Sequence, residues 1–138
     1  MTYHPVILVD AGMFVALYNR TDNYHAKVYN FFKNCTSQLL TTVACITETM
    51  HLLPSDWRIK NELMLAIARN AIECEDLHAS DFTRMAELNE KYADLPGDFA
   101  DLTLIAVSER LDIEAIATLD SDFDIYRRYR KKPFVRVF

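Results

Sequence analysis

The chain has 138 residues, which suits a single domain over residues 1–138 and allows a sizeable buried core. With 51% hydrophobic and 25% charged residues and only two glycines, its composition excludes a disordered or fibrous protein. The net charge of −5 argues against a general nucleic-acid-binding surface.

The sequence contains no apolar run long enough for a membrane span, and its first ten residues lack the features of a signal peptide. The three cysteines form no C-x-x-C pair, a usage typical of buried thiols in a reducing compartment. We therefore expect a cytoplasmic protein with no membrane partner.

Apolar runs and capping residues predict strands that alternate with helices along the whole chain. In chain order the predicted elements are strand 5–10, helix 23–34, strand 37–42, helix 43–53, helix 55–70, strand 71–77, helix 80–94 with Ser80 as its cap, a helix from Asp98, strand 115–120, helix 122–131 and strand 134–138. This alternation predicts an α/β fold of three layers, α/β/α, with a central parallel sheet of about five strands.

Acidic residues follow several of the predicted strands. Asp10 and Asp120 end two of them, while Asp98 and Asp101 occupy the first turn of a helix that enters from the same edge. The carboxyl ends of parallel strands share one edge, where open α/β sheets bind ligands. Glu48 is a fifth candidate, because its helical neighbours are mostly apolar and its early position in the helix lies near that edge.

Each of these acids also has a purely structural interpretation. Asp98 is suited to be an N-cap with Asp101 at the third helical position, and Asp120 with Asp122 can form a turn and cap. A lone Glu48 can sit at the margin of its helix with a solvated carboxylate. Asp10 is harder to explain in this way, since it follows a strand of five apolar residues.

Four or five carboxylates at one edge, with no basic residue nearby in sequence, repel one another unless a cation binds them. Hard divalent cations such as Mg²⁺ or Mn²⁺ prefer an all-oxygen set, and such a site can activate water for phosphodiester cleavage. The four histidines have no zinc-ligand spacing, and the chain contains no P-loop, no G-x-G-x-x-G and no G-x-S-x-G motif.

The segments "ILVDAGMFVAL", "TTVACITETMHLL", "DFADLTLIAVSERL" and "IATLDSDFDIYR" together resemble the PIN-domain nucleases, especially the VapC-like toxins of bacterial toxin–antitoxin pairs. The resemblance covers nearly the whole chain in the right order. It implies a Mg²⁺- or Mn²⁺-dependent ribonuclease whose sheet carries an acidic pocket, with RNA as substrate and a small antitoxin as partner. The residues that match the family's catalytic and metal-binding acids are Asp10, Glu48, Asp101 and Asp120, and those that match its additional metal-site acids are Asp98 and Asp122.

The chain departs from the family at one position. Many members place Ser or Thr directly after the first aspartate, where this chain has Ala11 and Gly12. Thr118 on a neighbouring strand can supply a hydroxyl to the substrate instead.

Six of the fifteen Lys and Arg residues lie in the last twelve residues, which contain no acid. This segment is either a solvated terminus that balances an acidic body or a contact for the RNA backbone. The candidate backbone-binding residues are Arg127, Arg128, Arg130 and Lys131.

Two further classes of function remain open. "KKPF" is similar to the Lys-Pro turn of response-regulator phosphoacceptor domains, although no aspartate ends the third strand and no helix follows the turn. A catalytically inactive, RNA-binding PIN domain is the other alternative.

Residues 24–32 and 59–68 carry more apolar side chains than one small core requires, so we expect these helices either to form a homodimer or to face the core.

Overall fold

The computed structural model describes residues 2–95 and 97–138. Five parallel strands form one sheet in the order β3-β2-β1-β4-β7, and two short strands form an antiparallel pair. The strands are β1 Val6–Val9, β2 Gln38–Thr42, β3 Ile72–Glu75, β4 Ala115–Ala117, β5 Arg127–Arg128, β6 Lys132–Pro133 and β7 Val135–Arg136. The helices are α1 Ala11–Tyr18, α2 His25–Asn34, α3 Val43–Leu52, α4 Trp57–Ala68, α5 Ala79–Lys91 and α6 Phe99–Arg110, with a 3₁₀ helix at Ser121–Asp124.

Both faces of the sheet are covered, as expected for parallel strands. In β1, Leu8 packs towards α5 and α6, whereas Ile7 and Val9 pack towards α1, α2 and α4. The predicted three-layer α/β/α class with five parallel strands is therefore confirmed.

Helix α6 lies deep in the molecule, and nine of its twelve residues are buried. Its first turn contains Asp101, and its N-cap is Asp98. Since the body of the helix packs against both the sheet and α5, the position of its first turn at the edge of the sheet is fixed by the core.

The segment after β4 differs from the prediction. Instead of a helix over 122–131, the chain forms the 3₁₀ helix and then the β5–β6 hairpin. Tyr129 and Arg130 adopt positive φ angles of 50° and 68°, which are incompatible with a continuing helix. Tyr129 is held in this turn because its backbone N–H donates to the carboxylate of Glu109 at 2.8 Å, near the end of α6.

Two smaller differences concern one helix that was not predicted and the start of another. Helix α1 is not among the predicted helices, because its apolar residues show no helical period. Helix α5 begins at Ala79, so Ser80 lies inside it, and the carboxylate of Asp81 accepts the backbone N–H of His78 at 2.8 Å. Within the described residues, no helix has both the length and the apolar character needed to cross a membrane.

Candidate metal centre

Five of the six acids predicted from sequence line one pocket of about 380 Å³ at the carboxyl edge of the sheet. They come from four separate parts of the fold: the end of β1, helix α3, the start of α6 and the loop after β4. These residues are Asp10, Glu48, Asp98, Asp101 and Asp120. The chain thus assembles the acidic edge that the order of strands and helices predicts.

Asp10 is held rigidly although it carries a charge. It directly follows β1 and caps α1, with Oδ1 accepting the N–H of Ala11 at 2.7 Å. Its backbone N–H donates to the carbonyl of Ala117 at 3.1 Å, which ties it to β4. Oδ2 accepts the hydroxyl of Thr118 at 2.8 Å, and the residue is only 6% exposed.

Asp98 and Asp101 both line the pocket, but only Asp98 caps the helix. Oδ1 of Asp98 accepts the backbone N–H of Asp101 at 2.9 Å, so Asp98 is the N-cap of α6, as the sequence indicates. Asp101, which is 4% exposed, accepts instead the hydroxyl of Tyr126 on Oδ2 at 3.2 Å. The carboxylate of Asp101 therefore does not cap the helix, and capping does not explain why an acid stands at this position.

Asp120 is positioned by the loop that follows β4. Its N–H donates to the Thr118 hydroxyl at 3.0 Å, and its own Oδ1 accepts the N–H of Asp122 at 2.9 Å. The Thr118 hydroxyl therefore connects Asp10 to Asp120, since it donates to one residue and accepts from the other.

The pocket disfavours the negative charge of its own carboxylates. Burial, together with the charges of Asp10, Asp98 and Asp120, raises the pKa of Asp101 to about 8. Burial also raises the pKa of Asp10 to about 6, and burial with the charge of Asp98 raises the pKa of Glu48 to about 7. Without a cation, these groups compete for protons near neutral pH.

The oxygen atoms fit a small divalent cation. One carboxylate oxygen from each of Asp10, Asp101 and Asp120 lies within 4.8 Å of the other two. Opposite ligands of an octahedral Mg²⁺ lie about 4.2 Å apart, so small side-chain movements bring this set to ligand distance. The donors are all carboxylate oxygens, the chemistry that Mg²⁺ and Mn²⁺ prefer.

The other predicted site residues lie elsewhere. Asp122 is half-buried and does not line the pocket. Thr118 is fully buried and its hydroxyl donates to Asp10, and its contact with substrate stays a prediction. Arg128 is only 3% exposed and lies 3.5 Å from Asp112, and its contact with the RNA backbone stays a prediction.

The remaining basic residues of the C-terminal segment contact several different parts of the fold. Arg130 pairs with Glu87 at 3.1 Å, and Arg127 donates to backbone carbonyls of the 3₁₀ region. The adjoining Tyr129 contacts Glu109, about 12 Å further along the axis of α6 than Asp101. Arg127, Arg130 and Lys131 do not line the acidic pocket, and their contact with RNA stays a prediction.

Sequence reasoning missed Tyr126, whose hydroxyl contacts Asp101. The residue falls in the segment predicted as helix 122–131, and nothing in its local pattern indicates a contact with a residue 25 positions earlier. Gly97, beside Asp98, indicates in the sequence that another group approaches the backbone there, but only the fold identifies that group as Tyr126.

The fold and the pocket define an α/β domain with a cluster of carboxylates at the carboxyl edge of its sheet. The family model described as "PIN domain" matches residues 7–129. The chain therefore belongs to the PIN-domain family, as its sequence motifs indicate.

Solved structures show the same fold. The VapC20 toxin of Mycobacterium tuberculosis, described as cleaving the sarcin-ricin loop, has a TM-score of 0.81 at 20% identity over 92% of this chain and 99% of its own. VapBC2 from Rickettsia felis, bound to a DNA fragment of its promoter, has a TM-score of 0.67 at 13% identity over 96% of this chain and 99% of the other. A toxin–antitoxin complex from Klebsiella pneumoniae has a TM-score of 0.64 at 12% identity over 83% of this chain and 87% of the other. No curated protein sequence compared with the chain matches it.

Proposed function

We propose that the protein is a divalent-cation-dependent endoribonuclease that hydrolyses RNA phosphodiester bonds and acts as the toxin of a toxin–antitoxin pair. The observation that carries the proposal is the convergence of Asp10, Asp101 and Asp120, with oxygen atoms within 4.8 Å of one another, in a PIN domain. The family membership removes the response-regulator alternative.

In this proposal Asp10, Asp101 and Asp120 hold Mg²⁺ or Mn²⁺, with Asp98 close to them at the pocket wall. A bound divalent cation supplies charge for the phosphate oxygens and makes a water molecule more acidic. Glu48 is half-exposed at the pocket, where its carboxylate would orient an attacking water and accept its proton.

An apolar groove beside the pocket supports an antitoxin partner. The groove has a volume of about 640 Å³ and shares Glu48 and Asp98 with the acidic pocket. Its walls include the exposed side chains of Val43, Phe82 and Phe99. An apolar antitoxin segment with one basic side chain would fill the groove and neutralise the acids, and two of the similar structures are toxin–antitoxin assemblies by their descriptions.

Exposed apolar side chains on α2 and α4 support a homodimer through the helices predicted from sequence. Each helix directs some residues to the core, such as Val28 and Leu63, which are buried. Tyr29, Met64 and Leu65 remain exposed on the same two helices. Burial of these side chains against a second copy would remove apolar area from water.

The proposal is tested by cleavage of single-stranded RNA with Mn²⁺ by wild type and Asp10→Asn. Glu90→Gln, which removes one exposed carboxylate from α5, is the matched control. We expect cleavage by wild type and Glu90→Gln, inhibition by EDTA, and none by Asp10→Asn. Binding of RNA without cleavage by the wild type would instead favour an inactive RNA-binding PIN domain.

A further inference from the structure

We infer that Tyr126 is a positioning residue for the cation site: its hydroxyl holds the carboxylate of Asp101 in one orientation, and Gly97 leaves the space that this contact needs. The inference rests on the proposed cation site, but it concerns residues to which neither the family match nor the similar structures assign a role. It also does not require that the substrate is RNA.

Tyr126 is held from several sides. It is fully buried, and its ring lies edge-on to the rings of Tyr92 and Phe123, with both pairs of centroids 5.1 Å apart. Its hydroxyl donates to Oδ2 of Asp101 at 3.2 Å. A tyrosine packed in this way has little freedom to move its hydroxyl, so the carboxylate meets a fixed donor.

Gly97 explains how the hydroxyl fits there. A Cβ atom at residue 97 would lie 2.6 Å from the Tyr126 hydroxyl oxygen and 3.4 Å from Cζ. The first distance is far inside normal contact. Gly97 does not have a positive φ angle, so the backbone conformation does not require glycine at this position. The absence of a side chain serves the approach of Tyr126.

The contact matters for a cation because a carboxylate rotates about its Cβ–Cγ bond. With Oδ2 of Asp101 fixed by the hydroxyl, the position of Oδ1 is fixed as well, and Asp10 is fixed in the same way by Ala11 and Thr118. Outer partners that orient metal ligands typically contribute about 10- to 100-fold to metal affinity or activity. Tyr126 is a partner of this kind for Asp101.

The test compares Tyr126→Phe with Tyr92→Phe. Both variants remove one hydroxyl from the same aromatic cluster and retain the ring. The Tyr92 hydroxyl, however, accepts the backbone N–H of Arg127 at 3.0 Å and does not touch an acid of the pocket. Gly97→Ala is a second variant, which retains the Tyr126 hydroxyl but forces either this hydroxyl or the backbone at residue 97 to shift, and so disturbs the contact with Asp101.

The primary readout is the Mn²⁺ dissociation constant of each purified protein, measured by electron paramagnetic resonance without substrate, with circular dichroism to verify folding. We expect Tyr126→Phe and Gly97→Ala each to bind Mn²⁺ about 10-fold more weakly or worse, and Tyr92→Phe to bind like wild type. In cleavage assays at fixed Mn²⁺, Tyr126→Phe should lower kcat with little change in KM.

Equal Mn²⁺ affinity in Tyr126→Phe and Tyr92→Phe would overturn the inference. If Tyr126→Phe does not fold, the result for Gly97→Ala decides in the same way. A wild type that binds Mn²⁺ without cleaving RNA contradicts the proposed function but leaves this comparison fully decisive. A wild type that binds no Mn²⁺ overturns both.

Discussion

The hydroxyl of Thr118 donates to Oδ2 of Asp10 at 2.8 Å. The residue that directly follows β4 therefore orients the acid that directly follows the neighbouring strand β1. Ala11 and Gly12 stand where many family members have a hydroxyl residue after this aspartate. The hydroxyl of Thr118 reaches Asp10 from the segment that follows the adjacent strand.

Thr118→Val should therefore weaken both the fold and the cation site. The valine is similar in shape, but it leaves the N–H of Asp120 and one oxygen of Asp10 without their hydroxyl partner, at a cost of about 1–3 kcal/mol. Urea unfolding in EDTA measures the stability, and a Mn²⁺ titration measures the affinity.

Thr41→Val is the matched control for this change. It also removes a buried hydroxyl, which donates to the carbonyl of Val9 at 2.9 Å, but it touches no acid of the pocket. The control should lose stability without losing Mn²⁺ affinity. Equal loss of affinity in both variants would show that Thr118 acts only through the general stability of the fold.

Asp98 should tolerate asparagine better than alanine. Its Oδ1 caps α6 by accepting the N–H of Asp101, and Asn caps helices about as well as Asp. Asp98→Asn should thus be at least as stable as wild type, since it keeps the cap and removes a charge that repels Asp101 and Glu48. Asp98→Ala should be about 1 kcal/mol less stable than Asp98→Asn. Thermal unfolding in EDTA compares the two, and a similar loss in both would mean that the charge of Asp98, and not its cap, stabilises the helix.

The stability of the metal-free protein should fall as the pH rises from about 6 to 8. The pKa values of Asp10, Glu48 and Asp101 are raised to about 6, 7 and 8, above those of an unfolded chain. In this window the folded state binds more protons than the unfolded state, so the slope of the unfolding free energy with pH is negative.

Urea unfolding in EDTA at pH 6, 7 and 8 measures this slope. Millimolar Mn²⁺ should flatten or reverse it, because the cation binds the ionised carboxylates of the folded state. Stability that rises with pH in EDTA would indicate that the acids do not repel one another in the folded protein.

The exposed apolar residues of α4 should hold two copies together. Met64→Glu places a charge among side chains that include Leu65 and should convert a dimer into a monomer that still folds, since the side chain is half-exposed in the single chain. Light scattering at high concentration determines the mass. Asn89→Glu adds the same single negative charge at an exposed position of α5, on the other face of the sheet, and is the control. A monomeric wild type would rule out the dimer.

The position of the acids could be predicted because it depends on chain order. A residue that follows a parallel strand, such as Asp10, reaches the carboxyl edge regardless of how the core packs. The predicted cap at Asp98 is likewise a local feature, and its hydrogen bond to Asp101 is present.

The surroundings of the acids could not be predicted, because they depend on contacts between distant residues. Tyr129 and Arg130 are not glycines, so their positive φ angles have no sequence signal, and the hairpin they form replaces the expected helix. The burial of Arg128 beside Asp112 follows from that hairpin.

The most direct test of the account is Asp101→Asn, measured for both stability and cleavage. Asparagine keeps an oxygen that can accept the Tyr126 hydroxyl but removes a charge whose burial raises the pKa of Asp101 to about 8. In EDTA at pH 8 the variant should be more stable than wild type, and with Mn²⁺ it should cleave no RNA, while Glu90→Gln matches wild type in both. Wild-type cleavage by Asp101→Asn would show that this carboxylate does not belong to the catalytic site.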